Sequence, residues 1–230
     1  VGGELSEAVR SEAHRLFNDG MPMTKRRIAA ALAALLTLTA CGQPTPGTPR
    51  AAGAVSSESD CATVDVPLLE LDTHSATEPR VRIPQPPGWE RYTDMDSELI
   101  RAAVVNKSLT ADGFTPNVVY TLDKLPADID PQDALDKERE GLVKMAGATD
   151  LEVTAATVCG LPGETVHYTL SMPASVGPHP VILRQAVVGA DDHTYVVCLT
   201  IQTTNPTDAT YQRDSMTILD GLQVLSANDG

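Results

Sequence analysis

A largely apolar run of 13 residues, Ile28 to Ala40, follows Lys25-Arg26-Arg27 and stops at Cys41-Gly42-Gln43-Pro44. A helix that crosses a bilayer needs about 20 apolar residues, and Pro44 and Pro46 forbid an extension of this one. A basic start, an apolar stretch of roughly 7 to 15 residues and small residues at its end read instead as a secretory leader. The run therefore divides the chain, and what folds lies after it. Val1 to Gly20 is polar and of mixed charge, an extension that export leaders rarely carry, so Met21 or Met23 suits the true start. Residues 1–40 are read as this upstream extension plus the leader.

Leu38-Thr39-Ala40-Cys41 has the form of a lipobox, in which cleavage leaves Cys41 as a diacylglycerol-bearing N-terminus. The expected location is the extracytoplasmic face of the cell membrane, with acyl chains on Cys41 as the anchor; two or more chains give stable attachment where one does not. Residues 1–40 hold five of the 17 basic and four of the 31 acidic residues, so the remainder carries 12 against 27, a net charge of −15. Such an exterior repels phosphate backbones and gains nothing from anionic headgroups, which excludes nucleic acid as a partner. Gly42 to Asp60 is Gly, Pro, Thr, Ser and Ala almost throughout and cannot bury enough surface to offset its ordering entropy. It is expected to be a disordered tether with a reach of about 25 Å.

Residues 61–230 are enough for one domain with a proper core. Val81 and Ile83 alternate with Arg80 and Arg82 ahead of Pro84-Gln85-Pro86-Pro87-Gly88-Trp89, a strand with a stiff exit. Arg101 to Asn106 and Asn117 to Leu122 read as a hairpin whose long tip is Ser108 to Pro116. Asp130-Pro131-Gln132-Asp133 starts a helix, with Asp130 at the N-cap and Pro131 at N1. Ala134, Leu135, Leu142, Met145 and Ala146 mark one face of that helix, which ends near Gly147. Leu151 to Val158, Glu164 to Met172, Val181 to Val188 and Thr194 to Thr203 follow as strands with short links, which favours an antiparallel meander. Tyr211, Ser215, Ile218, Leu219 and Leu222 repeat at helical spacing, capped by Thr207 or Asp208. The sum is an α+β fold with helices packed on a largely antiparallel sheet.

Cys61, Cys159 and Cys198 are the disulfide candidates, an odd number that leaves one thiol free. In a meander Cys159 and Cys198 lie about three strand spacings, roughly 14 Å, apart, beyond the roughly 7 Å that a disulfide tolerates between Cα atoms. This favours a bond from Cys61, with either partner open.

Chemistry is harder to find. No Gly-x-Ser-x-Gly elbow occurs, and His74, His167, His179 and His193 sit respectively in a polar loop, a strand, a proline-flanked site and a turn. No His-x3-His or Cys-x2-Cys pair suggests zinc, so no metal is expected. Asp128, Asp130, Asp133 and Asp136 lack the Gly and Glu that complete a calcium loop. No glycine-rich phosphate cradle follows a strand, so neither a nucleotide nor another cofactor is implied. The expectation is a protein without catalytic residues.

The lipobox, the Thr/Pro/Ser-rich tether, Val81-Arg82-Ile83-Pro84-Gln85-Pro86-Pro87-Gly88-Trp89, Asp128-Ile129-Asp130-Pro131 and Thr194-Tyr195-Val196-Val197 before a closing helix together resemble the LpqN family of mycobacterial lipoproteins. The resemblance covers Cys41 to the C-terminus. It implies a fold similar to Mog1 and PsbP, a curved antiparallel sheet flanked by helices. It also implies action through protein contacts, with envelope lipid-export machinery and, for some members, host proteins; it brings no catalytic residue. The expected function is a membrane-anchored interaction module of the cell envelope, with Trp89 and Phe114 as the interaction candidates. The alternative is a lipid or glycolipid carrier with an apolar cavity.

Overall fold

The computed structural model describes residues 56–171 and 177–227; the leader, Cys41, most of the tether and Met172 lie outside the described residues. In chain order the strands are β1 (Leu68–Glu70), β2 (Arg80–Pro84), β3 (Glu90–Arg91), β4 (Ala102–Val105) and β5 (Asn117–Pro126). Helix α1 (Pro131–Met145) comes next, then β6 (Thr149–Val158), β7 (Leu161–Ser171), β8 (Pro178–Gly189) and β9 (His193–Gln202). Helix α2 (Ala209–Asp220) and β10 (Gln223–Leu225) close the domain.

Seven strands form one antiparallel sheet in the order β3-β4-β5-β9-β8-β7-β6, and β1-β2-β10 form a small second sheet. The last four strands are the expected meander, and β5 joins it by pairing along its full length with β9. That pairing makes β9 central, and its sequence is suited to the place. Tyr195, Val197, Leu199 and Ile201 enter one core while Val196 and Cys198 enter the other, the period of two that a strand covered on both faces requires. The fold is thus α+β with an open sheet, as expected.

The first core lies between the large sheet, β2, β10 and α2. Asp208 caps α2, its Oδ1 accepting from the Thr210 and Tyr211 N–H groups at 2.9 Å each, and Tyr211, Ser215, Ile218 and Leu219 are buried. The second core lies beneath α1. Asp130 Oδ1 accepts from Gln132 N–H at 2.8 Å, Pro131 opens the helix, and Ala134 and Leu135 are buried. Met145, by contrast, is 67% exposed, and Ala146 is exposed too, which corrects the predicted apolar face. Helix α1 rests on β7 and β8, and its last turn projects past that contact before Gly147 turns the chain toward β6.

Ser56 to Asp60, read from sequence as the end of the tether, are ordered. Ser56 N–H donates to Ser226 Oγ at 3.1 Å and Ser226 N–H to Ser56 Oγ at 2.9 Å, both buried, so hydrogen bonds fix a stretch that has no large apolar side chain. Just beyond, Cys61 is disulfide-bonded to Cys159, 98 residues away, and Cys198 is a buried free cysteine. Cys159 and Gly160, with φ of 49° and 77°, form the two-residue link from β6 to β7, as the left-handed turns favoured in hairpins demand.

Candidate functional site

Directly opposed residues of an antiparallel pair share a face, so register alone assembles a row of polar side chains across four strands. Glu164 of β7 faces Gln185 of β8, Gln185 faces Cys198 of β9, and Cys198 faces Thr121 of β5. Two residues along β5, Asp123 stands on the same face, opposite Val196. This face is the one that α1 covers. Glu138 and Arg139 come down onto it from the helix, Arg139 pairing with the Glu164 carboxylate and, on its outer side, with Asp136.

One ligand-capable atom from each of Asp123, Glu138 and Cys198 lies within 4.8 Å of the others. Gln185 is fully buried and its Nε2 donates to Cys198 Sγ at 3.2 Å, while its Oε1 has no hydrogen-bond partner among the described residues. Glu164, 3% exposed, likewise keeps Oε1 without a partner. Charge is expensive here. Burial raises the Asp123 carboxyl above the ordinary range, and burial together with the Asp123 charge pushes Glu138 up to about 7. Burial, then the neighbouring Glu138 charge, holds the Cys198 thiol well above its usual value. Tyr168, on the same face, is pushed up to about 12, chiefly by burial. The arrangement is a thiol, two carboxyls and an amide gathered in a low-dielectric corner that opens past the half-buried Asp123 and Glu138.

Of these residues, the sequence reading singled out only Cys198. The rest are signalled by parity: Gln185 falls in step with Val181, Leu183 and Val187, Glu164 with Val166 and Tyr168, and Asp123 with Thr121, all positions of a covered face. Glu138 is four residues from Ala134 and three from Leu135, the buried stripe of α1. Polar side chains at core positions are the mark that a period count can find.

The interaction candidates fare differently. Trp89 is 2% exposed, in the core, and its Nε1 donates to the buried Asp214 at 2.9 Å. This corrects its assignment to a docking surface: Pro86-Pro87-Gly88 turns the chain inward, Gly88 taking φ of 88°, and delivers the indole beneath α2. Phe114 is half-buried, its ring 5.2 Å from that of His179. His179 is buried and held by Gln202 Oε1 at 3.1 Å and Gly177 O at 3.2 Å, and His167 is exposed on β7. Of the aspartates before and within α1, Asp130 caps the helix and Asp136 pairs with Arg139.

A solved structure shares this architecture. The crystal structure of LpqN, a Mycobacterium tuberculosis protein involved in cell envelope biogenesis, superposes with a TM-score of 0.56 at 18% identity, covering 70% of this chain and 92% of that one. A Mog1 mutant aligns with a TM-score of 0.41 at 14% identity over 70% of this chain and 97% of that one. No curated protein matches the chain by sequence. The family described as probable lipoprotein LpqN matches residues 62–225, nearly the whole described domain, and the chain belongs to this Lpp-LpqN family.

Proposed function

We propose that this protein is a lipid-anchored component of the cell envelope that works as a non-enzymatic docking module, held at the extracytoplasmic face by acyl chains on Cys41. Family membership supports the lipoprotein reading, and the involvement of LpqN in cell envelope biogenesis supports the setting. No described helix is long and apolar enough to cross a membrane, and a net charge of −14 gives no attraction to anionic headgroups, so attachment falls to the acyl chains.

The observation that carries the docking reading is β6. Among the described residues it is a ten-residue edge strand paired only with β7, its register shifting between Thr149 and Glu152, and its side chains are exposed on both faces from Thr149 to Ala155 apart from Leu151. An edge of that length offers unpaired backbone groups to an incoming strand. Val153 on it is 47% exposed, beside acidic Asp150 and Glu152, which suits an extended segment of an envelope protein with apolar and basic side chains. The family resemblance points to lipid-export machinery as the source of that segment.

Among the described residues, the cleft beside the disulfide does not suit the carrier alternative. It measures about 330 Å³ and is rimmed by Asp60, Arg184 and Asp220, which is a polar opening rather than a cavity for acyl chains.

A photo-crosslinking side chain placed at Ala155 in the full chain, in intact cells, tests the proposal. The expected result is a discrete adduct with one envelope protein, absent when the same group replaces Arg213 and lost on adding Val153→Lys. Adducts with lipid alone, or equal labelling from both positions, overturn it.

A further inference from the structure

We propose that Asp123, Glu138, Cys198 and Gln185 form a binding site for a divalent transition ion of the zinc class, enclosed between α1 and the sheet. Two independent features support the site. The first is proximity: a thiol and two carboxyls, from β9, β5 and α1, have their donor atoms within 4.8 Å of one another. Donors around a tetrahedral zinc are about 3.4 Å apart, given bond lengths of about 2.0 to 2.3 Å, so small rotamer changes at the two half-buried carboxyls close the set. The second is the pair of orphaned acceptors. Gln185 is fully buried with its amide against Cys198 Sγ, and among the described residues its Oε1 is without a partner; Glu164 Oε1, on the adjoining strand directly opposite, is also buried without one among them.

One movement resolves both. If the Gln185 amide turns over, its oxygen takes the place now held by Nε2, facing the cluster as a fourth ligand, and its NH2 group turns toward Glu164 Oε1. Glu164 then holds the ligand amide, and Arg139 holds Glu164. Supporting partners of this kind are what orient ligands in metal sites. A thiolate beside oxygen donors suits zinc or cobalt better than magnesium or calcium, which take oxygen alone. Binding is coordinate and needs no oxidant: the Cys198 thiol and whichever carboxyl is protonated release their protons to water as the ion enters past Asp123 and Glu138. The ion also answers an electrostatic problem, since Asp123 and Glu138 are like-charged groups placed together in a poorly solvated corner.

Cobalt serves as the probe. The full chain, purified in detergent and freed of metal with a chelator, is titrated with Co2+ and then with Zn2+. The expected result is a thiolate-to-cobalt charge-transfer band that saturates at one ion per chain, is displaced by zinc and is absent in Cys198→Ser. Glu138→Gln, a near-isosteric change at a half-buried position, keeps the fold by circular dichroism and weakens zinc binding by about tenfold or more. Absence of the band in folded wild-type protein overturns the proposal. So does a band that survives in a folded Asp123→Asn, Glu138→Gln double variant, which would mean adventitious binding to a thiol.

Discussion

At the scale of single residues, the domain is most informative where polarity sits at positions the period reserves for the core. Glu138 ordinarily titrates near 4.5 and is pushed up to about 7 in the folded state, mainly by burial. The fold therefore favours the protonated acid, and native protein binds more protons than the unfolded chain between those values. By linkage, stability falls as pH rises from about 4.5 to about 7, and the penalty is complete above that. Glu138→Gln should match wild type below pH 4.5 and be more stable at pH 8. The gain should be on the order of 1 to 2 kcal/mol, discounted for the part of the side chain that water screens. Urea midpoints of both proteins across this range, with chelator present, check it; equal midpoints at pH 8 contradict it. Trp89→Phe keeps most of the apolar contact but removes the donor to Asp214, which is 3% exposed and retains Arg213 on its other oxygen. The expected loss is about 1 to 3 kcal/mol in a denaturation curve.

At the scale of elements, the sequence was most legible where local chemistry decides the outcome. Asp130-Pro131 and Asp208 open the two helices as their side chains dictate, and the four-strand meander follows from β-branched runs with short links. What pattern could not reach were decisions made by distant partners. Trp89 looks from sequence like an exposed aromatic after a proline turn, but it is buried in a core assembled from distant elements, with Asp214, 125 residues away, taking its N–H. The polar row under α1 has the same origin: Glu164, Gln185, Cys198 and Thr121 come from four separate strands, and no window of sequence holds them together. The same crossing places a constraint on Gly163. A Cβ at that position would stand 2.1 Å from the Gln185 carbonyl oxygen, which is backbone and cannot swing aside. Gly163→Ala should force β7 from β8 beside Glu164 and cost about 1 to 3 kcal/mol, read as a lower denaturation midpoint with faster amide exchange confined first to those two strands.

At the scale of the whole molecule, the question is how the domain holds the point where its described chain begins. Cys61 stands just after the place where the described chain begins, and Cys159 turns the β6–β7 hairpin at the far edge of the large sheet. Their bond closes a loop across 98 residues that contains β1 to β6 and α1. On a chain-entropy account, closing about 100 residues removes roughly 4.7 kcal/mol of unfolded-state freedom. At about 2 to 4 °C per kcal/mol for a domain of this size, the Cys61→Ser, Cys159→Ser double variant should melt roughly 10 to 19 °C below wild type. The Ser56 to Ser226 hydrogen bonds hold the same N-terminal segment independently, so the variant should still fold. Its losses should be concentrated in amide protection at residues 56–61 and at the β6–β7 turn. If docking uses the β6 edge, the variant should also give less of the Ala155 adduct at a temperature where the remainder of the sheet is intact, because Val158 and Cys159 fix the end of that strand. A melting point within a degree or two of wild type would show that hydrogen bonds and core contacts alone secure the entry of the chain.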